Sequence, residues 1–557
     1  GRRGNEHDYS DPLGGAMQNI ATLTLANAVR QRMEHTPDLD VLTFVHVDNQ
    51  QQLCDTTRSY RQLWNNGQRI AGGLDDEGMM QGDTFALIMF NHPEFVEAMV
   101  GSSIAGNVFV PIDPRATGEK LHHLLSYSSC RGAVVADHAL PTVLELLDRL
   151  PRLQWIWVLD ASLAVSVLPM HSRVRIRALV DVLDDQVPAI AVRANDLEQP
   201  MQLLFTSGTT GHPKAIVANY ARFASIATLG EEVGLRAGDR PYTGLSLTHA
   251  NAQCITLGSA LYLGLRTVIS RQFTKSRLWE IVRRYSCTMF NLLGGMTTAL
   301  YSEPQRSDDA NNPVRYVFSA GMPASLWQDF SKRFQVKVFE FYGTAEGGLT
   351  LNPPGDGPIG SIGKPPGHLR CSILDERGNE LAAHERGEIC FRPATGADHP
   401  PVAYLANPEA SADKTRGGWF HSGDIGHKDD EGWVFFDHRA GSGIRRNGEF
   451  IDPAEVEKVI AQASAVADVF VYGYATAGGA PGEKEIIAAV VQAPGQVLDM
   501  GLLREHCTRH LPRNSLPFHI QRVDEIPKTA SEKPLERELR VLLERELKPF
   551  DNPKKQS

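Results

Sequence analysis

The densest chemistry in the chain sits in Phe205–Lys214, FTSGTTGHPK, directly after the apolar run Met201–Phe205. Thr206, Ser207, Thr209 and Thr210 supply hydroxyl donors, and Lys214 supplies a point charge. Gly208 and Gly211 let the backbone turn its N–H groups toward an anion. Such a segment suits a bound phosphate. It differs from the usual P-loop, in which Lys and then Ser or Thr directly follow the second of two spaced glycines. A polar turn between strands is the alternative, but a turn needs neither this density of hydroxyls nor a lysine.

Further reactive groups follow downstream. Glu340–Glu346, EFYGTAE, sets Phe341 and Tyr342 beside Gly343 and Thr344 and ends on a carboxylate. Tyr342 offers a face for a purine, and Glu346 offers an oxygen ligand for Mg2+. An ordinary strand end would carry the same residues. Trp419–Asp424, WFHSGD, ends on the Asp424 carboxylate, and Arg439 follows as a nearby cation at the end of Asp437–Arg439. A structural ion pair is the alternative there. His249 in LTHANAQ and Lys533 in PKTASEK carry no signal by residue type alone, because a lone histidine is commonly a satisfied core residue and a loop lysine is commonly solvated.

In chain order these segments resemble the motifs of the adenylate-forming superfamily: acyl-CoA synthetases, peptide-synthetase adenylation domains and luciferases. The resemblance runs from about Leu23 to Arg540 and is nearest to carnitine or crotonobetaine CoA ligases and fatty-acid-transport-type acyl-CoA synthetases. It implies an ATP-dependent acid–thiol ligase that activates a small-molecule carboxylic acid as acyl-AMP and passes it to coenzyme A. Under this resemblance, Thr206, Ser207, Gly208, Thr209, Thr210, Gly211 and Lys214 would clamp the β- and γ-phosphates of ATP. Ala320 and Gly321, in Ser319–Pro323 (SAGMP), would form one wall of the adenine slot and Phe341, Tyr342, Gly343 and Thr344 the other. Glu346 would hold Mg2+, Asp424 and Arg439 the ribose. Lys533 would bridge the carboxylate and the α-phosphate, with His249 beside the carboxylate. Ile444–Glu449, IRRNGE, resembles the segment lining the pantetheine path of coenzyme A, and assigns Arg445, Gly448 and Glu449 to it.

The chain departs from the family pattern at several positions. Thr344 and Ala345 stand in exchanged order, Ala215 and Glu532 stand where glycine is usual, and Ser442 stands where aspartate is common. A carrier-protein thiol or an amine as acceptor, and nucleotide binding without catalysis, stay open as other readings.

Positioning these groups requires a large mixed fold. Phe85–Phe90, Val108–Ile112 and Ala133–Ala136 read as strands buried on both faces, with helices at Pro93–Ala105 and around Leu121, Leu124 and Leu125. Strand, helix, strand at this spacing predicts an α/β fold whose largely parallel sheets are covered by helices. Thr243–His249 and Thr267–Ser270 read as further strands, and Ala252–Tyr262 and Arg277–Tyr285 as helices. Residues 1–22 read as a flexible tail and 23–439 as an N-terminal adenylation domain, with a small β-rich subdomain over about 352–438. A hinge falls at 440–443, and 444–557 form a small mobile α+β domain whose first helix starts at Asp452 and Pro453.

Composition narrows the partners. A chain of 557 residues exceeds a single core. A formal net charge of -10 argues against nucleic acid. Seven cysteines without CxxC or Cys/His spacing read as reduced thiols in a cytoplasmic protein. No apolar stretch is long enough for a transmembrane segment. A monomer or a homodimer is expected.

Overall fold

The computed structural model describes residues 18–162, 167–206, 213–440, 443–476, 479–529 and 532–547. Among them, one sheet has seven strands in the order Arg175–Ala178, Trp155–Leu159, Gly132–Ala136, Thr84–Ile88, Val108–Ile112, Pro200–Phe205, Ala215–Asn219. Its pairs are parallel up to Pro200–Phe205, which meets Ala215–Asn219 antiparallel. Every residue of Val108–Ile112 and Gly132–Ala136 is buried, which is why these runs are continuously apolar rather than alternating. The helix Pro93–Ala105, which connects Thr84–Ile88 to Val108–Ile112, begins with proline in its first turn and ends at Gly106, whose φ of 79° is the left-handed cap that glycine adopts at little cost.

A second sheet has eight strands among the described residues, in the order Leu349–Asn352, Lys337–Gly343, Tyr316–Ala320, Met289–Leu293, Pro241–Thr243, Thr267–Ser270, Asp40–Val47, Leu53–Ser59. Only its outermost pairs are antiparallel. The α/β class expected from the sequence is therefore the observed one. The carboxyl ends of Pro200–Phe205, Tyr316–Ala320 and Lys337–Gly343 release the chain into the segments singled out above, as is usual for parallel sheets.

Two local expectations change. The strand expected at Thr243–His249 stops at Thr243, because side chains take the next amides. Leu245 N–H donates to Thr243 Oγ1 at 3.1 Å, and Leu247 N–H donates to Oδ1 of the buried Asn91 at 2.8 Å. The helix expected at Ala252–Tyr262 begins as a π-helical stretch, Asn251–Leu257, and becomes α-helical only over Gly258–Leu263.

Leu369–Leu374, Gly387–Pro393, Phe420–Lys428 and Val434–Arg439 form an antiparallel meander. The C-terminal part pairs Val466–Tyr474, Glu485–Gln492 and His519–Arg522 in a sheet of its own. Its first helix, Pro453–Ala461, is capped by Asp452 Oδ1, which accepts from Ala454 N–H at 3.0 Å. This part rests on the large one through Lys458, 2.8 Å from Asp329, through Lys275, which donates to the Ala467 carbonyl, and through Tyr301 packed on its core. All seven cysteines are unpaired thiols. No described helix is long and apolar enough to cross a membrane.

Candidate active site

The cavity between the two parts has a volume of about 1750 Å³. Thr206, Lys214, His249, Ala320, Gly321 and Phe341 border it. So do Tyr342, Gly343, Thr344, Glu346, Asp424, Arg439 and Lys533. Ser207, Gly208, Thr209, Thr210 and Gly211 lie outside the described residues, as do Gly441 and Ser442. Arg445, Gly448 and Glu449 do not border the cavity. They form a tight hairpin in which Asn447 and Gly448 both have positive φ, at 51° and 80°, between the paired Arg445–Arg446 and Glu449–Phe450.

Strand geometry builds the Asp424 end. Asp424 and Arg439 are directly opposed in the antiparallel ladder of Phe420–Lys428 with Val434–Arg439. The Tyr342 hydroxyl donates to Asp424 Oδ2 at 2.5 Å, so the ring is anchored at its tip. Burial raises the pKa of Asp424, while the Tyr342 hydroxyl and Arg439 pull it down. Behind Asp424, Glu388 accepts from Gly423 N–H at 3.1 Å and contacts His421 Nδ1 at 2.6 Å. His421 Nε2 faces the Arg416 carbonyl at 3.0 Å. Glu388, Cys390 and His421 lie close enough to ligate a metal, but both imidazole nitrogens already face protein oxygens, so the group acts as a brace for this strand.

The Ser319–Pro323 turn is held by a residue the sequence reading passed over. Gly321 N–H and Met322 N–H donate to Glu340 Oε1 at 2.6 and 3.0 Å, and Gly321 has φ 94°. Burial pushes Glu340 up to about 8. Arg222 is a second omission. Its Nε and Nη2 donate to the carbonyls of Ala345 and Thr344 at 3.1 and 2.7 Å and so fix the segment leading into Glu346. A lone arginine in an otherwise apolar helix, Tyr220–Ala227, was the available signal.

The exchanged pair at 344–345 has a clear structural result. Thr344 Oγ1 donates to the Gly347 carbonyl at 2.9 Å and accepts from Gly347 N–H, so this hydroxyl is spent inside its own turn. Ala345 offers none. Glu346 keeps an available carboxylate, with the Tyr404 hydroxyl 3.4 Å from Oε1. The Tyr404 ring also lies under Lys214 Nζ, 5.6 Å from its centroid. A carboxylate on the cavity wall that shares Tyr404 with Lys214 is an oxygen donor of the kind Mg2+ takes together with phosphate oxygens, so the residues present fit that ion.

Lys533 enters from the small part. Its N–H donates to Thr529 Oγ1 at 3.1 Å, and Thr529 N–H donates to its carbonyl at 2.8 Å. The preceding Glu532 carbonyl lies 3.1 Å from where a Cβ on Gly295 would stand, so glycine there admits the loop. Burial and then Arg439 lower the Lys533 ammonium, with Asp424 and Glu346 opposing. Burial, then Lys533, pushes His249 down to about 4, so the imidazole is neutral near pH 7. Glu532 has φ 59°, the left-handed conformation that explains why glycine is usual at this position.

The chain is similar to known proteins in sequence and in fold. The chain is 24% identical over 503 residues to long-chain fatty acid transport protein 6 of Mus musculus, covering 85% of this chain and 79% of that protein. It is 27% identical over 491 residues to the crotonobetaine/carnitine–CoA ligase of Salmonella paratyphi C, covering 86% and 93%. In fold it is similar to the crystal structure of the anthranilate CoA ligase AuaEII in complex with anthranoyl-AMP, with a TM-score of 0.79, 22% identity, and coverage of 96% and 100%. The profile described as AMP-binding enzyme matches residues 29–397, and that of the AMP-binding enzyme C-terminal domain matches 455–533. The chain therefore belongs to the AMP-binding enzyme family.

Proposed function

We propose that this AMP-binding enzyme is an ATP-dependent acid–thiol ligase that forms an acyl-AMP and transfers the acyl group to coenzyme A. The observation that carries the reading is Lys533, seated over the cavity and sharing it with His249, Glu346, Asp424 and Arg439. The names of its relatives, CoA ligases for crotonobetaine and carnitine and for fatty acids, support the choice of thiol.

In the first half-reaction a carboxylate oxygen attacks the α-phosphorus of ATP, and the bond to the bridging oxygen of pyrophosphate breaks. The chain's part is positioning and charge stabilisation. Asp424 and Arg439 take the ribose, Tyr342 and the Ala320–Gly321 turn enclose the adenine, and Lys214 with the segment from Thr206 to Gly211 takes the outer phosphates. Lys533 bridges the attacking carboxylate and the α-phosphate, and neutral His249 orients the carboxylate by a hydrogen bond. Bound at Glu346, Mg2+ supplies charge neutralisation to the phosphate oxygens.

The second half-reaction requires a thiol at the acyl carbonyl, with AMP leaving. We assign it to a rotated placement of residues 444–557 about a hinge at 440–443, which withdraws Lys533 and brings Arg445, Gly448 and Glu449 to the cavity. The test separates the halves. Lys533→Ala should lower carboxylate-dependent pyrophosphate exchange by on the order of 100-fold or more yet still pass a supplied acyl-AMP to coenzyme A. Normal exchange in that variant would sink the assignment. Purified enzyme should release AMP faster with coenzyme A than without it; equal rates would remove coenzyme A as the acceptor.

A further inference from the structure

Two residues beyond His249 the cavity wall carries Asn251, the first residue of the π-helical stretch. Its Oδ1 accepts from Asn291 Nδ2 at 2.7 Å, and Asn291 Nδ2 also donates to Thr256 Oγ1 at 2.9 Å. Asn291 lies on the central strand Met289–Leu293 and is buried, so the Asn251 amide is clamped from behind by rigid structure. The π-helical winding brings Asn251 and Thr256 to the same asparagine. Asn251 Nδ2 has no acceptor among the described residues. Apolar side chains share the cavity wall with it: Ile255, Leu293 and Leu349 border the cavity with Leu229 and Ile226. Ile255, Leu229 and Leu349 pack on an apolar cluster that includes Phe318 and Phe341.

We propose that Asn251 selects the acyl group: the acid carries an oxygen acceptor, a ketone or ether, on an otherwise apolar body, and Nδ2 donates to it. This rests on the ligase reading and deepens it. A fixed amide donor in an apolar wall is a liability toward a pure hydrocarbon, which strips its water and returns no hydrogen bond. Toward a matched acceptor the same donor is pre-oriented, because Asn291 and Thr256 have already set its direction.

The test measures pyrophosphate release by the full chain with MgATP and coenzyme A. The acids are hexanoate against 4-oxohexanoate and 5-oxohexanoate, and benzoate against its three methoxy isomers. At least one acceptor-bearing acid should exceed its parent in kcat/KM by roughly ten-fold or more, the discrimination a donor built for a substrate oxygen gives. In Asn251→Leu that ratio should fall to near unity, and Asn291→Leu, which frees the amide, should lower it by less. Ratios within about three-fold for every pair, or a preserved ratio in Asn251→Leu, would overturn the inference and leave the ligase reading standing. Failure of every acid to release pyrophosphate would overturn both.

Discussion

Asp424 and Arg439 face each other across a ladder of the large part, whereas Lys533 reaches the same cavity on a loop of the small part. The first pair is held by strand register, by Tyr342, and by the Glu388–His421 brace behind it. The second is held on its own segment by backbone bonds to Thr529 and by close passage over Gly295. Under the proposed roles, the groups that would hold the nucleotide through both half-reactions sit on sheet, and the group needed for only one of them would sit on a loop of the small part. Loop placement costs precision but permits exchange.

Predictions follow from that contrast. Lys533→Ala should lower pyrophosphate exchange by on the order of 100-fold or more while leaving the unfolding temperature unchanged, since the bonds of Lys533 to Thr529 are made by its backbone and survive the substitution. A simultaneous drop in melting temperature would mean the loop is structural. Asp424→Asn should act differently: roughly ten-fold or more in kcat/KM for ATP, in both half-reactions, because a charged acceptor of the sugar is lost. If only adenylation suffered, the sheet-borne pair would be no more permanent than the lysine. Gly448→Val should spare exchange and reduce thioester formation by about ten-fold, because φ 80° disfavours a branched side chain on the segment assigned to the thiol step.

The pH profile tests the same division. The Lys533 ammonium is lowered by burial, so its charged, active form is lost as pH rises toward the lowered pKa, and exchange should decline on the alkaline side. Lys533→Arg should move that limb upward, while the thioester step from supplied acyl-AMP should lack it. His249, at about 4, should contribute no limb between pH 6 and 8. The smallest effect concerns Glu532, which holds a left-handed backbone with a Cβ attached. Glu532→Gly should relieve that strain and change exchange by no more than about three-fold, in either direction, with loop order improved by hydrogen exchange.

Some structure was legible from local spacing. Pro93–Ala105 and Val108–Ile112 come out with the expected bounds because proline, Gly106 and an unbroken apolar run set them within a few residues. The Thr243–His249 run misled, since its amides are claimed by Asn91, more than 150 residues away in the chain. Glu340 was missed for the same reason, and Arg222 stood out only as the lone charge of its helix: their partners are a turn and carbonyls distant in the chain, which residue type does not name.

What the sequence determined by itself was the inventory: a phosphate-type run at Phe205–Lys214, an aromatic–carboxylate segment at Glu340–Glu346, and the chain order that marks an adenylate-forming pattern. These depend on neighbours a few positions apart, where residue type limits backbone geometry directly. The tertiary structure alone decided what meets what. It put Tyr342 on Asp424 across a separation of 82 residues, turned the Thr344 hydroxyl into its own loop, and set Lys533 rather than Arg445 or Glu449 at the cavity. Such contacts arise from how two sheets and a separate small part pack, and packing is a property of the whole chain that no local spacing encodes.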